Sequence, residues 1–175
     1  MLKLKKNILI IGMTGVGKTT IGRLLSKKLK KKFFDSDHEI ELASGLRISD
    51  FFLKFGEEEF RKLEKKIITK LINNNYETII SSGAGFLNEP KFIDFVFSNT
   101  TSIFLNASIS TINQRLKENL RNRPKLTGGN LKDKLKEMYS SRIKNYQKAQ
   151  IKIDVDELSI PDILSIILSN LENYE

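Results

Sequence analysis

Short, mainly apolar runs alternate along the chain with longer stretches in which apolar residues recur every three or four positions. The runs Ile8 to Ile11, Phe33 with Phe34, Thr78 to Ile80, Ser102 to Leu105 and Ile151 to Val155 read as buried strands. Between them Ile21, Leu24, Leu25 and Leu29, and later Phe60, Leu63, Ile67 and Leu71, keep the spacing of one helix face. Strand and helix in alternation predict an α/β chain, a parallel sheet covered by helices on both faces and joined by right-handed crossovers. A length of 175 residues fits one domain over 1–175, long enough to bury a core without disulfides or metal staples. There is no internal repeat, and low complexity is confined to the three asparagines Asn73 to Asn75. The segment 119–131 carries cations, Pro124 and the pair Gly128 and Gly129 between two helical patterns, which predicts an exposed mobile loop.

Charge adds one feature. Lys and Arg number 30 against 21 Asp and Glu, a formal charge of +9 that suits polyphosphates or anionic metabolites and would also attract nucleic acid. Much of it falls in runs such as Lys27 and Lys28, then Lys30 to Lys32, at a predicted helix end, where cations complement the helix dipole and stay solvated. No aromatic-interleaved basic motif accompanies them, so no nucleic-acid partner is expected. The absence of cysteine excludes disulfides and thiolate metal sites and favours a reducing compartment. The start is basic and then apolar, but its apolar run ends at Gly12, too short for a signal or membrane segment, so the expectation is a cytoplasmic chain without a membrane partner.

The candidate chemistry begins where the first strand ends. Gly12 to Thr19 has the Walker A spacing, with a predicted strand before it and a helix after it. In such a loop the amides of Thr14, Gly15, Val16 and Gly17 turn inward around a polyphosphate, and the helix starting near Lys18 adds its positive end. Lys18 reaches the β and γ phosphates, the Thr19 hydroxyl ligates Mg2+, and Thr20 continues the nucleotide-binding stretch. The plain structural reading, a glycine-rich turn with an incidental lysine, does not account for the full pattern in its setting. ATP binding is therefore expected.

A second substrate has to be read downstream. Asp35 and Asp37 follow the second strand, and alternation along an extended segment would send both carboxylates to one side, at the end of a parallel strand where ligands bind in open α/β sheets. One would then act through Mg2+ and the other accept a hydroxyl proton; the competing reading is a helix N-cap beside a solvated acid. Arg61 either clamps a substrate carboxylate with two hydrogen bonds or pairs with Glu57, Glu58 or Glu64 on its own helix. The lone histidine, His38, has no ligand partners in pattern and reads as a surface residue.

In the order of these motifs the chain resembles the shikimate kinase family. The residues that carry the resemblance are Gly12 to Thr20 with Gly22 and Arg23, Phe34 to Asp37 with Ile40 and Glu41, Gly56 and Glu57 with Phe60, Arg61 and Glu64, Ser82 to Gly85, Arg123 and Pro124 with Leu126, and Arg142 with Tyr146. The resemblance implies an ATP-dependent phosphotransferase that converts shikimate to shikimate 3-phosphate on the way to chorismate and aromatic amino acids. It also implies a three-layer P-loop kinase fold with a five-stranded parallel sheet, a helical substrate-binding region near 36–64, a lid near 119–131 and a monomeric state. By position Asp37 would hold the shikimate hydroxyls and take a proton, Asp35 would be the acid on the Mg2+ side, and Arg61 with Arg142 would hold the carboxylate. Arg123 would be the lid arginine that reaches the ATP phosphates, with Gly128 and Gly129 as a hinge. Arg115 stands near an arginine that stacks on adenine in the family, or is an exposed helix arginine.

The chain departs from the family at its third strand. Three consecutive glycines are usual there, and this chain has Ser82-Gly83-Ala84-Gly85, so the triplet falls on Ser82 to Ala84 or on Gly83 to Gly85. An alanine forced to positive φ would strain the loop by about a kcal/mol or more, which would bear on substrate binding at Gly83 and Ala84 and not on the nucleotide. Ser81 or Ser82 stands where the family turns a hydroxyl toward a Mg2+-bound water. Two other readings compete with a shikimate kinase: a kinase of another hydroxy acid such as gluconate on the same scaffold, and a non-catalytic nucleotide-binding protein.

Overall fold

The computed structural model describes residues 6–73, 77–117 and 130–173. In chain order the elements are β1 (Asn7–Gly12), α1 (Lys18–Leu29), β2 (Lys32–Asp35), α2 (Ser36–Ser44), α3 (Ile48–Asn73), β3 (Thr78–Ser81), α4 (Pro90–Asn99), β4 (Thr100–Asn106), α5 (Ile109–Lys117), α6 (Leu131–Tyr146), β5 (Ile151–Asp154) and α7 (Ile160–Glu172). The expected α/β alternation is present, and the five strands form one sheet in the order β2-β3-β1-β4-β5 with every pairing parallel. Each predicted apolar run lies in one of these strands except for Val155, which follows the end of β5, and β1 and β4 extend beyond their apolar runs by polar residues that the ladder holds, Asn7 and Thr100 among them.

β1 is the middle strand and is buried along its whole length, as both covered faces of a parallel sheet require. The chain leaves β1 toward β2 on one side and leaves β4 toward β5 on the other, so the connections diverge above the carboxyl end of β1. That divergence opens the crevice in which such sheets hold ligands. The main core joins Ile8 to Ile11 with α1, the C-terminal half of α3, β3, β4, β5 and α7. A smaller core of Ile40, Phe51 and Phe60 packs α2 against α3, with Phe52 and Phe60 4.4 Å apart at their ring centres. Between the Ile48–Phe55 part and the rest of α3 stands Gly56, at φ 79 and ψ 177, where the helix kinks. The region expected near 36–64 is thus α2 with the front of α3, a satellite unit beside the main sheet. Among the described residues no helix is long and apolar enough to cross a membrane.

Candidate active site

A cleft of about 510 Å³ opens over the carboxyl ends of β1, β2 and β3. Its floor is the stretch from Thr14 to Thr20, a loop running into the start of α1, in which Gly15 and Gly17 take φ of 80° and 111°, values that favour glycine. α1 begins at Lys18, as expected, and aims its N-terminus at the cleft. The Lys18 ammonium is buried and donates to the Gly12 and Met13 carbonyls, both at 2.9 Å, so it lies curled over the loop. The Thr19 hydroxyl donates to Asp35 Oδ2 at 2.6 Å, bringing two hard oxygen ligands together beside the loop.

Asp35 and Asp37 both line the cleft, but not through strand alternation. Asp35 ends β2 and is the N-cap of α2, accepting from the Asp37 amide at 3.1 Å, and Asp37 already lies in the first turn of that helix. The segment is therefore not extended, contrary to expectation: the polypeptide turns at Ser36, and capping brings the second acid over the site. Ser36 is fully buried, and its hydroxyl accepts from the Gly83 amide at 2.9 Å, which ties the start of α2 to the loop after β3. Exposed His38 takes no part.

The two glycines of that loop have opposite neighbours. A methyl on Gly83 would stand 2.7 Å from Glu64 Oε1 and 2.8 Å from Asp37 Oδ1, while one on Gly85 would stand 2.7 Å from Arg61 Nη2 and 3.2 Å from Arg142 Nη2. At 83 and 85 an added methyl would thus have to displace the ends of neighbouring charged side chains. Ala84 between them lines the cleft and is not in the left-handed region, because Lys30 is the only non-glycine with positive φ among the described residues. The strain considered for an alanine here does not arise. Ser82 donates to the Ile10 carbonyl at 3.2 Å, and Ser81 ends β3 at the cleft.

Arg61 takes the second of its two expected fates, pairing with acids on its own helix. Its Nη1 meets Glu64 Oε2 at 2.5 Å and its Nη2 meets Glu57 Oε1 at 3.2 Å, while the same Nη2 faces Gly85. Burial works against its charge, yet the Glu64 carboxylate beside it, and then Glu57, hold it above the ordinary guanidinium value. Arg142, on α6, has a buried Nη1 with no hydrogen-bond partner among the described residues. Four residues on, burial pushes the Tyr146 phenol up to about 12, against the nearby charge of Arg142, and its hydroxyl donates to the Ala84 carbonyl.

Sequence reasoning marks Glu64 only as a pairing partner for Arg61 and gives Tyr146 no role of its own, although both lie one helical turn from a predicted arginine. It also missed the apolar wall of Leu158, Ile160 and Ile163, which closes the cleft beside Arg115. Arg115 lines the cleft, and its Nη1 donates to the Val16 carbonyl at 3.0 Å. Arg123, Gly128 and Gly129 lie outside the described residues. Of the expected lid segment, Asn130 and Leu131 are described: Asn130 caps α6, accepting from Lys132 N at 3.0 Å, and Leu131 begins that helix.

A model of the family described as shikimate kinase matches residues 14–172 of this chain. The chain belongs to the shikimate kinase family. Membership makes it a phosphotransferase acting on an alcohol group, and a kinase that uses ATP. Curated members are similar over nearly their full length: a shikimate kinase of Thermodesulfovibrio yellowstonii is 36% identical, with 95% of each chain covered. Another from Bacillus pumilus is 34% identical over 96% of this chain and 90% of its own. Among solved structures, the shikimate kinase from Acinetobacter baumannii in complex with shikimate superposes with a TM-score of 0.90 at 29% identity, covering 97% of this chain and 94% of that one. A gluconokinase from Sinorhizobium meliloti has a TM-score of 0.59 at 14% identity and shares the fold alone.

Proposed function

We propose that the chain transfers the γ-phosphoryl group of ATP, with Mg2+ bound, to the 3-hydroxyl of shikimate. The observation that carries this is the loop Gly83 to Gly85, with carboxylates over one end and guanidinium groups over the other. Two residues of chain span at most about 7 Å. That separation suits a small ring with hydroxyls at one end and a carboxylate at the other, and the unpartnered Arg142 Nη1 is a donor suited to such a carboxylate.

In this reading the amides of Thr14 to Gly17 and the start of α1 hold the phosphates, and Lys18 leaves the Gly12 and Met13 carbonyls to follow them. Thr19 and Asp35 are oxygen donors already in contact, a pair that would hold Mg2+, whose charge would offset that of the phosphates. Asp37 orients the shikimate hydroxyl and takes its proton as oxygen attacks the γ phosphorus and the bond to the β-phosphate oxygen breaks, releasing ADP. Arg61 and Arg142 fix the carboxylate so that attack is in line. The adenine rests between Arg115 and the wall of Leu158 and Ile160, and Arg123, by the family resemblance, adds positive charge at the transferring group. The proposal takes the chain as a single-domain, monomeric and cytoplasmic enzyme, supported by one continuous sheet, the span of the family match and the lack of cysteine. ADP formation with Mg2+ and ATP, with shikimate and with gluconate as the control acceptor, tests it. Turnover that depends on shikimate is expected; ATP binding without stimulation by shikimate overturns the acceptor.

A further inference from the structure

The contact between Arg115 and the Val16 carbonyl joins residues 99 positions apart, and it falls on the phosphate loop rather than on an open base site. Val16 carbonyl and Gly17 amide belong to one planar trans peptide, in which C=O and N–H point to opposite sides. A residue that holds the carbonyl therefore also aims the amide. Gly17 is the N-cap of α1 at φ 111 and ψ 14, and glycine tolerates both signs of φ, so local sterics leave the orientation of this peptide open. Turned the other way, the carbonyl would face the phosphates and oppose their charge.

We propose that Arg115 is a positioning residue for the phosphate loop, holding the Val16–Gly17 peptide with its N–H toward the polyphosphate. The proposal rests on the ATP reading of the cleft. A second contact from the same helix supports it: a methyl on Gly15 would stand 2.8 Å from Leu116 Cγ, so α5 presses on the loop at two adjacent residues. The base of α5 is itself anchored, since Asp156 accepts from the Ser108 amide at 3.0 Å. Burial works against the charge of Asp156, while hydrogen bonds from Thr111 and Ser108 and the charge of Arg115 bring its carboxyl below the ordinary value. The charges of Asp156 and Arg115 thus act on each other while the Arg115 Nη1 holds the Val16 carbonyl.

Inorganic tripolyphosphate, which has phosphates and no base, separates this role from adenine stacking. Calorimetry with Arg115→Ala should show tripolyphosphate weakened about fivefold and ATP weakened by at least that factor, with the shikimate KM and the melting temperature unchanged. In the ligand-free protein the Val16 carbonyl-carbon and Gly17 amide resonances should move in Arg115→Ala. Arg115→Gln, which keeps a donor without the charge, should partly restore both the resonances and the binding. Loss of ATP affinity with tripolyphosphate binding intact overturns the proposal in favour of a base contact. So does full recovery in Arg115→Lys with the Val16 and Gly17 resonances unmoved in every variant, which would make the effect one of charge alone. A folded wild-type protein that binds no tripolyphosphate would instead remove the ATP reading on which the proposal stands.

Discussion

Glu64 is 2% exposed, and its carboxylate pairs with the guanidinium of Arg61 and stands where a methyl on Gly83 would meet it. Removing one member of a buried ion pair leaves the other uncompensated, and this asymmetry outweighs the net worth of the pair. Glu64→Gln keeps the shape and removes the charge, so it is expected to lower stability by about 2 kcal/mol in urea unfolding and to raise the shikimate KM, with the ATP KM held. Gly83→Ala meets two carboxylate oxygens at once and should abolish acceptor-dependent turnover, whereas Ala84→Gly, at a position with ordinary φ, should change it less than twofold, an order-of-magnitude expectation in steady-state assays. Arg61 was legible in the sequence as an arginine with two fates. What the sequence did not carry was how the pairing divides: a buried Glu64 one turn away binds one arm of the fork, and the other arm meets Glu57 while facing Gly85.

Among the elements, α2 is where structure and chemistry share a residue. Asp35 caps the helix, closes the β2 strand and accepts the Thr19 hydroxyl. Asp35→Ala removes all three and should cost about 1 kcal/mol for the cap alone, together with most of the turnover. Asp35→Asn retains an acceptor for the Asp37 amide, so thermal unfolding should stay close to wild type while the Mg2+ concentration needed for half-maximal rate rises. Equal losses of stability in the two variants would show that the carboxylate charge, not the cap, holds α2 in place. The strands and the phosphate loop were readable because periodicity and the Walker A spacing are local signals. The turn at Ser36 was not, since its direction is set by a hydrogen bond from Gly83, 47 residues away, to a serine that sequence pattern does not distinguish.

For the molecule as a whole, alternation of strand and helix foretold a parallel sheet, but not that β1 lies between β3 and β4, an order set by which apolar runs find burial on both faces. That order brings α6 across the loop after β3, where the buried phenol of Tyr146 donates to Ala84, packs on Phe104 and sits one turn from Arg142. The phenol is 1% exposed as a residue, and burial pushes its pKa from the usual 10 up to about 12. Because the folded value lies above the unfolded one, the unfolded state loses this proton first as pH rises. The stabilisation is complete below pH about 10 and is lost as pH rises through about 12, a total on the order of 2 kcal/mol. Lysines titrate in the same window, so the informative quantity is the difference between wild type and Tyr146→Phe in urea unfolding at pH 8 to 12. The wild-type curve should fall more steeply above pH 10, with the gap between the two narrowing by about 2 kcal/mol at the upper end. Parallel curves would mean that the hydroxyl reaches water in the folded state and that the Ala84 carbonyl is held by something other than this hydrogen bond.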